Sequence, residues 1–361
     1  MPNRPKSILI IRLSAIGDIV MASGVLPVLR SNWPETQIDW LVQSEYAELL
    51  QDNPHLQRVL IWPRKDWQWL WTQKRPFSLI AELRKLIQTL RSQKYDLVLD
   101  LQGLWKSAWL AKVCRAQQKI GLDSREGSKW VMSHVCRSQP DKQKMSSEYL
   151  CLLQELGLDV QRFYLGLEPR LQEIQSVQAV MQNLDLDSDY ALLCPFTTRA
   201  QKHWPWQNWV HLCSLLTDRL GLQVVLLGGP RDSTQAEWIQ AASSKPVINL
   251  AGRISLGQNL ALIKQARILI GVDTGITHMA MMSELPSIGL FGSTCPYLYP
   301  AGDNGVVLYS NRACSPCRRH PACDAQYPCM QDLEPELVFS TACKLLEGSF
   351  DTNVLHDLSS H

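Results

Sequence analysis

Short apolar runs along the chain alternate with longer stretches whose apolar positions recur every three or four residues. Ser7-Ile-Leu-Ile-Ile-Arg12, Gln37-Ile-Asp-Trp-Leu-Val42, Arg58-Val-Leu-Ile61 and Leu97-Val-Leu-Asp100 have the length of buried strands, and helical spacing lies between them, as over 80–90. The helix after the first strand is expected to break or kink at Pro27. The order then restarts. Residues 190–194, 223–227, 247–250, 268–270 and 287–290 read as a second set of strands, with helices expected over 209–220, 234–242 and 256–266. Between the sets, the Gln- and Asp-rich stretch 170–189 suits a helix and a linker. Alternating strands and helices specify an α/β protein of two Rossmann-like, doubly wound domains, an N-terminal one over 1–175 and a C-terminal one over 176–361. Two such halves facing one another make a cleft, and ligands of such sheets bind beyond the carboxyl ends of the strands.

Composition narrows the choice of function. At 361 residues and 45% apolar, the chain can fill two cores. A net charge of +2 argues against general nucleic-acid binding. The charged start, Met1 to Lys6, is followed by an apolar run of strand length only, and no run is long enough to span a bilayer, so a cytoplasmic protein is expected. Seven of the eleven cysteines are scattered, several in apolar patterns (Cys151, Cys194, Cys213) as small core residues. The other four, Cys314, Cys317, Cys323 and Cys329, match a structural zinc site in number, or form a thiol-rich turn reduced in the cytosol.

The carboxyl ends of the strands carry the chemistry. Gly271-Val-Asp-Thr-Gly-Ile-Thr-His278 joins a strand to a helix, so Asp273, Thr274 and Gly275 lie where free backbone N–H groups and the helix dipole favour an anion such as a diphosphate. An ordinary capped turn is the alternative. His278 either assists the phosphates or packs. In Pro195-Phe-Thr-Thr-Arg-Ala-Gln-Lys-His-Trp-Pro205, Thr197, Thr198 and Lys202 suit phosphate oxygens, while Arg199 does the same or is simply solvated. In Gly228-Gly-Pro-Arg-Asp232 the acid either accepts from a ribose hydroxyl or caps the next helix. After the first strand, Asp18 is either an N-cap or a carboxylate aimed into the cleft; the helix N-terminus favours its ionised form, and burial turns it toward a usable base. Asp185-Leu-Asp-Ser-Asp189 has an Asp-x-Asp pattern, but it precedes a strand and reads as a linker turn. Residues 62–71 mix four tryptophans with Arg64 and Lys65, a composition suited to a membrane–water interface and to acidic sugars.

Taken together, Arg12-Leu-Ser-Ala-Ile-Gly-Asp18, Asp100-Leu-Gln-Gly-Leu-Trp-Lys-Ser107, Thr197-Thr-Arg-Ala-Gln-Lys-His-Trp-Pro205, Leu227-Gly-Gly, Asn249-Leu-Ala-Gly252 and Val272-Asp-Thr-Gly-Ile-Thr-His278 resemble glycosyltransferase family 9, the ADP-heptose:lipopolysaccharide heptosyltransferases, from Ile8 to about Leu345. The resemblance implies a GT-B fold and an inverting, metal-independent sugar transfer without a cofactor, the ADP-sugar being a substrate. It implies that Asp18 is the general base, that Thr197, Thr198, Lys202, Asp232, Asp273, Thr274, Gly275 and His278 serve the donor, and that Ser14, Gly17, Arg64, Lys65, Gln102, Lys106 and Arg125 serve the acceptor, a Kdo-bearing lipid A at the cytoplasmic face of the inner membrane. Asp273, an anion, is expected to order its loop or meet Lys202, leaving the N–H groups to bind phosphate. Lys106 either joins the acceptor contacts or caps a helix. The 197–205 loop is similar to that of heptosyltransferase I, whereas the cysteine cluster followed by Met330 resembles other members, including heptosyltransferase II types; Met145 stands where the family often has a His. Alternatives are a sister transferase with another nucleotide sugar or acceptor, a non-catalytic nucleotide-sugar binder, and a nucleotide-dependent oxidoreductase. The last is opposed by the turn after strand one, Ser14-Ala-Ile-Gly-Asp18, which lacks the three-glycine fingerprint, and by the missing acid at Val42-Gln43.

Overall fold

The computed structural model describes residues 4–123, 126–302 and 304–348. Strands β1 (Ser7–Ile11), β2 (Gln37–Gln43), β3 (Arg58–Trp62), β4 (Lys94–Asp100), β5 (Arg115–Gly121) and β6 (His134–Val135) form one parallel sheet in the order β3-β2-β1-β4-β5-β6. Strands β7 (Tyr190–Cys194), β8 (Gln223–Leu226), β9 (Val247–Asn249), β10 (Ile268–Val272), β11 (Ser287–Phe291) and β12 (Gly305–Tyr309) form a second, in the order β12-β11-β10-β7-β8-β9. Counted from its own first strand, each sheet has the same doubly wound order. The connection reverses direction between β1 and β4 in one and between β7 and β10 in the other, which is where such sheets open a crevice at their carboxyl ends.

The central strands β1, β7, β10 and β11 are buried at every residue. Parallel strands covered by helices on both faces behave this way, and it is why these segments are continuous apolar runs. The covering helices are α1 (Ile16–Ser23), α2 (Val25–Asn32), α3 (Arg64–Thr72), α4 (Pro76–Arg91), α5 (Trp105–Val113), α6 (Ser147–Glu155), α7 (Leu171–Asn183), α8 (Trp206–Leu220), α9 (Ser233–Ala242), α10 (Leu256–Ile263), α11 (Gly275–Met281), α12 (Pro328–Gln331) and α13 (Pro335–Leu346). The helix break expected at Pro27 falls at Gly24 instead. Pro27 lies in the first turn of α2, where a missing N–H is tolerated, whereas a Cβ on Gly24 would meet the Phe163 ring at 2.4 Å.

The chain divides into two compact units. One runs up to Asp141 and includes Ser146–Glu168; the other comprises Lys142–Met145 and the chain from Pro169 onward. The change-over thus comes earlier than a division at 175–176, because the whole of α7 packs in the second unit. There Gln258 donates to the Ser176 hydroxyl (2.6 Å), and the Glu173 carboxylate presses against Gly257, leaving no room for a Cβ. The short insert joins that unit through backbone bonds: Met145 N–H to Tyr299 O and Leu298 N–H to Gln143 O. Each unit fills its own core. In the first, Leu9, Ile11 and Val98 of the sheet meet Leu86 and Leu90 of α4 and Leu110 of α5. In the second, Leu193, Val224 and Ile270 meet Trp204, Trp209 and Leu212. Among the described residues, no helix is long and apolar enough to cross a membrane.

Candidate active site

In the second unit the loops after β7, β10 and β11 converge on one carboxylate. Asp273 lies just beyond β10, and its Oδ2 accepts from Lys202 Nζ at 2.6 Å and from the Thr294 hydroxyl at 2.5 Å. Its Oδ1 is 3.1 Å from His278 Nε2, and His278 Nδ1 is 2.7 Å from the Tyr297 hydroxyl. The arrangement that satisfies both ring nitrogens has Nε2–H donating to Asp273 and Nδ1 accepting from Tyr297. Burial pushes the Tyr297 pKa well up, which keeps that hydroxyl a donor. Burial also pushes Asp273 upward, but the hydrogen bond from His278 and the charge and hydrogen bond of Lys202 outweigh it, and Asp273 lies well below the usual carboxylate range. Asp273 is therefore a hub, charged at neutral pH, that fixes Lys202. His278, buried and engaged at both ring nitrogens, packs in this network and acts through Asp273.

The backbone beside the hub is shaped for close approach. Gly271 has no room for a Cβ, which would lie 2.3 Å from Thr277 Oγ1 and 2.8 Å from Cys194 Cβ. Thr274 caps α11, its hydroxyl accepting from Thr277 N–H at 3.5 Å, and Gly275 opens the helix. Thr197 and Thr198 lie on the loop after β7, whose fold is held by His203 Nε2 against Thr197 O (2.9 Å). Trp204 anchors the end of that loop. It stacks edge-on against Trp209 at 4.8 Å between ring centres and donates to Leu333 O at 2.7 Å. Thr197 and Thr198 also border a cavity of about 560 Å³ walled by Phe196, Trp206, Trp238 and Tyr327. Asp232 behaves as a turn residue: its Oδ2 accepts from Gly229 N–H at 2.8 Å, and α9 follows directly. Asp185 to Asp189 is a turn between α7 and β7, with Asp189 paired to Arg267 at 2.8 Å.

In the first unit the loops after β1 and β4 meet. Asp18, in the first turn of α1, accepts from Ala15 N–H at 3.0 Å and pairs with Arg12 Nη2 at 2.9 Å, both through Oδ2. It thus closes its own turn and still leaves its side chain 41% exposed, while Arg12 is only 10% exposed. Arg12 also donates to Leu101 O at 2.5 Å. Burial alone would lower the Arg12 pKa, but the surrounding Tyr149, Asp18 and Glu148 raise it overall. Glu148, on α6, is shifted up by burial.

The stretch from Asp100 to Ser107 is a folding device for this loop pair. Asp100 is fully buried, with a pKa raised by burial, and it accepts from Gln102 N–H (3.0 Å), Gly103 N–H (3.2 Å) and the Ser107 hydroxyl (2.9 Å). The loop so shaped turns Gln102 toward strand one, where its carbonyl accepts from Leu13 N–H (2.9 Å) and Ser14 N–H (3.2 Å). Gly103 supplies a positive φ of 65°. Gly17 lies in the same turn as Asp18.

Cations gather beside this loop pair. Lys106 lies in the first turn of α5, the unfavourable end of a helix for a cation, so it is no cap; its ammonium sits 5.9 Å above the Trp62 ring. Its pKa is lowered by burial first and then by the nearby charges of Arg64 and Arg12. Lys65 is partly spent on Glu45 at 3.4 Å. Cations set close enough to depress one another invite an anionic ligand. Arg125 lies outside the described residues.

The zinc reading of the four clustered cysteines is not supported. Cys314 is exposed, Cys329 is buried with its sulfur against Gly292, and among the described residues no group of three or more His, Cys, Asp or Glu is arranged to hold a metal. Sequence reasoning missed Arg12 and Thr294. For Arg12 a signal existed, since an arginine ending a wholly buried strand needs a partner.

Residues 83–327 match the sequence model of glycosyltransferase family 9 (heptosyltransferase). Lipopolysaccharide heptosyltransferase 1 of Pseudomonas aeruginosa is 28% identical over 317 residues, covering 86% of this chain and 85% of that protein. Lipopolysaccharide heptosyltransferase 3 of Escherichia coli is 26% identical over 300 residues, covering 81% and 85%. A solved E. coli heptosyltransferase with ADP has a TM-score of 0.73 and 23% identity, over 94% of this chain and 99% of that one, which establishes the GT-B fold. The chain is a glycosyltransferase and belongs to glycosyltransferase family 9, the heptosyltransferases.

Proposed function

We propose that this enzyme moves heptose from ADP-L-glycero-D-manno-heptose to the Kdo of a lipopolysaccharide inner core at the cytoplasmic face of the inner membrane, inverting the anomeric centre without a metal ion. The observation that carries the reading is the ammonium of Lys202 fixed by buried Asp273 at the crevice between β7 and β10. A lysine held there, with the Thr197 and Thr198 hydroxyls on its own loop and the backbone N–H groups at 274–275, does for a diphosphate what a divalent cation does in other transferases. That the solved E. coli neighbour was obtained with ADP agrees with this.

The reaction is one displacement. The acceptor hydroxyl oxygen attacks the anomeric carbon from the face opposite the nucleotide, and Asp18 takes its proton. Oδ2 of Asp18 is already committed to Ala15 and Arg12, so Oδ1 is the accepting atom. The bond from the anomeric carbon to the phosphate oxygen breaks, its electron pair leaves with ADP, and Lys202 with its neighbouring donors stabilises the growing charge. Arg64, Lys106 and Arg125 hold the carboxylate of Kdo.

Purified enzyme assayed with ADP-heptose and a Kdo-bearing lipid A, beside a panel of other nucleotide sugars and heptosylated acceptors, tests the assignment. Heptose transfer to the Kdo acceptor is expected; activity confined to a heptosylated acceptor or to another donor would replace it with a heptosyltransferase II-like or non-heptose reading. Within the active pair, Asp18→Ala is expected to lower kcat by about 10²–10⁴ with ADP affinity unchanged, whereas Lys202→Ala lowers ADP affinity and turnover together. Equal loss of ADP binding and transfer in Asp18→Ala would reject the base assignment.

A further inference from the structure

The first unit carries an exposed aromatic surface that the reaction does not use. Trp69 (54% exposed), Trp71 (73%), Phe77 (86%), Ile80 (42%), Trp105 (58%) and Trp130 (83%) lie on α3, α4, α5 and the turn after β5. Five of the seven exposed tryptophans among the described residues are in these elements, counting Trp109 on α5. The elements adjoin one another. Trp67 of α3, Leu86 and Leu90 of α4, Leu110 of α5, and Met132 share one core cluster on the same face of the sheet, so their outer sides form one surface.

α4 shows the division most clearly. Leu79, Leu83, Leu86 and Leu90 make the inward stripe, and Phe77, Ile80 and Arg84, spaced i, i+3 and i+7, make the outward one. The exposed apolar area is on the order of several hundred Å², more than a monomer ordinarily leaves to water. Charge identifies the partner. Residues 64–91 contain seven Lys or Arg and two acids, a net of +5 in a chain whose total is only +2. Arg75 stands over Trp69 (5.8 Å), and farther along the same surface Lys129 stands over Trp130 (6.0 Å). A second copy of this chain would set like charges face to face. Tryptophans interleaved with cations, on helices that lie along a sheet, match the headgroup layer of an anionic bilayer.

We propose that the outer face of α3, α4 and α5 seats the enzyme on an anionic lipid surface, with the aromatic side chains entering the headgroup layer. The proposal is separable from the sugar-transfer assignment, because vesicles without any sugar acceptor test it. The full chain is floated with phosphatidylcholine vesicles and with vesicles of phosphatidylcholine and phosphatidylglycerol. Binding to the anionic vesicles is expected to exceed binding to the neutral ones by about tenfold or more and to fall with added salt. Trp71→Ser with Phe77→Ser is expected to lose about tenfold in partitioning, and Arg84→Glu with Lys85→Glu a comparable amount at low salt. All four positions are exposed, so thermal melting and ADP binding of these variants should match the parent. Equal binding to both vesicle types, or full retention of binding by the aromatic variant with unchanged melting, would overturn the proposal. So would a dimer in sedimentation equilibrium that the aromatic variant dissociates.

Discussion

Asp273→Ala tests the claim that one largely buried carboxylate organises the loops proposed to hold the nucleotide. In the parent this group is about one-tenth exposed and accepts from Lys202, Thr294 and His278. Removing it leaves a lysine whose side chain is 15% exposed without its counter-ion and two further donors without an acceptor. Breaking a buried ion pair by deleting one partner costs about 3–5 kcal/mol. For a domain of this size that is a fall of about 6–20 °C in the melting of the second unit. Lys202→Met should cost less, about 1.5–3 kcal/mol, because Thr294 and His278 still satisfy the carboxylate. If the two groups act as a pair, the double variant loses less than the sum of the singles by about 1 kcal/mol or more.

The assay is urea or thermal unfolding of the four proteins, followed by near-ultraviolet signals from the tryptophans around Trp204. The pH dependence supplies a further check. Asp273 is held below its unfolded carboxylate value of about 4, so its stabilising contribution is complete above that value and drains away as pH falls toward the folded value. The gap between the parent and Asp273→Asn should therefore be constant near neutrality and narrow only below about pH 4. An Asp273→Ala protein within about 0.5 kcal/mol of the parent, or strictly additive effects with Lys202→Met, would refute the hub.

Three further outcomes are expected. Gly271→Ala forces a Cβ into Thr277 Oγ1 and Cys194 Cβ, and should cost about 1–3 kcal/mol in unfolding experiments on the second unit. Arg12→Met leaves half-buried Glu148 and half-exposed Asp18 without their cation; a loss of about 2 kcal/mol in the first unit, together with reduced transfer but unchanged ADP affinity by calorimetry, is the expected signature. Gln102→Leu removes the acceptor for Leu13 and Ser14 N–H, and should lower transfer through a misplaced Asp18 more than it lowers the melting temperature; equal proportional losses would make Gln102 a stability residue only.

The fold was legible in the sequence where both faces of a strand are covered, as at β1, β7 and β10, because burial on both sides demands an unbroken apolar run. It was illegible at β5, Arg115-Ala-Gln-Gln-Lys-Ile-Gly121, whose polar side chains are largely at the surface and which is a strand through its backbone ladder to β4. The helix break was assigned to Pro27 because a proline advertises itself locally, whereas the reason at Gly24 is a tertiary contact with Phe163. Lys202 and Asp273 were singled out by sequence reasoning because they follow predicted strands. Thr294 was not, since its role depends on three loops meeting at Asp273. The pairing of Asp273 with Lys202 followed from charge alone: two anions do not share a phosphate site.

The repeated strand order has an evolutionary reading. Each unit closes a full sheet and packs its own interior, with its candidate residues on loops at one rim; only the short insert Lys142–Met145 comes from the other part of the chain. On the proposed assignment of nucleotide to one rim and glycan to the other, the two preferences can drift at different tempos, and grafting one unit onto a relative's other unit becomes a practical route to mixed specificities.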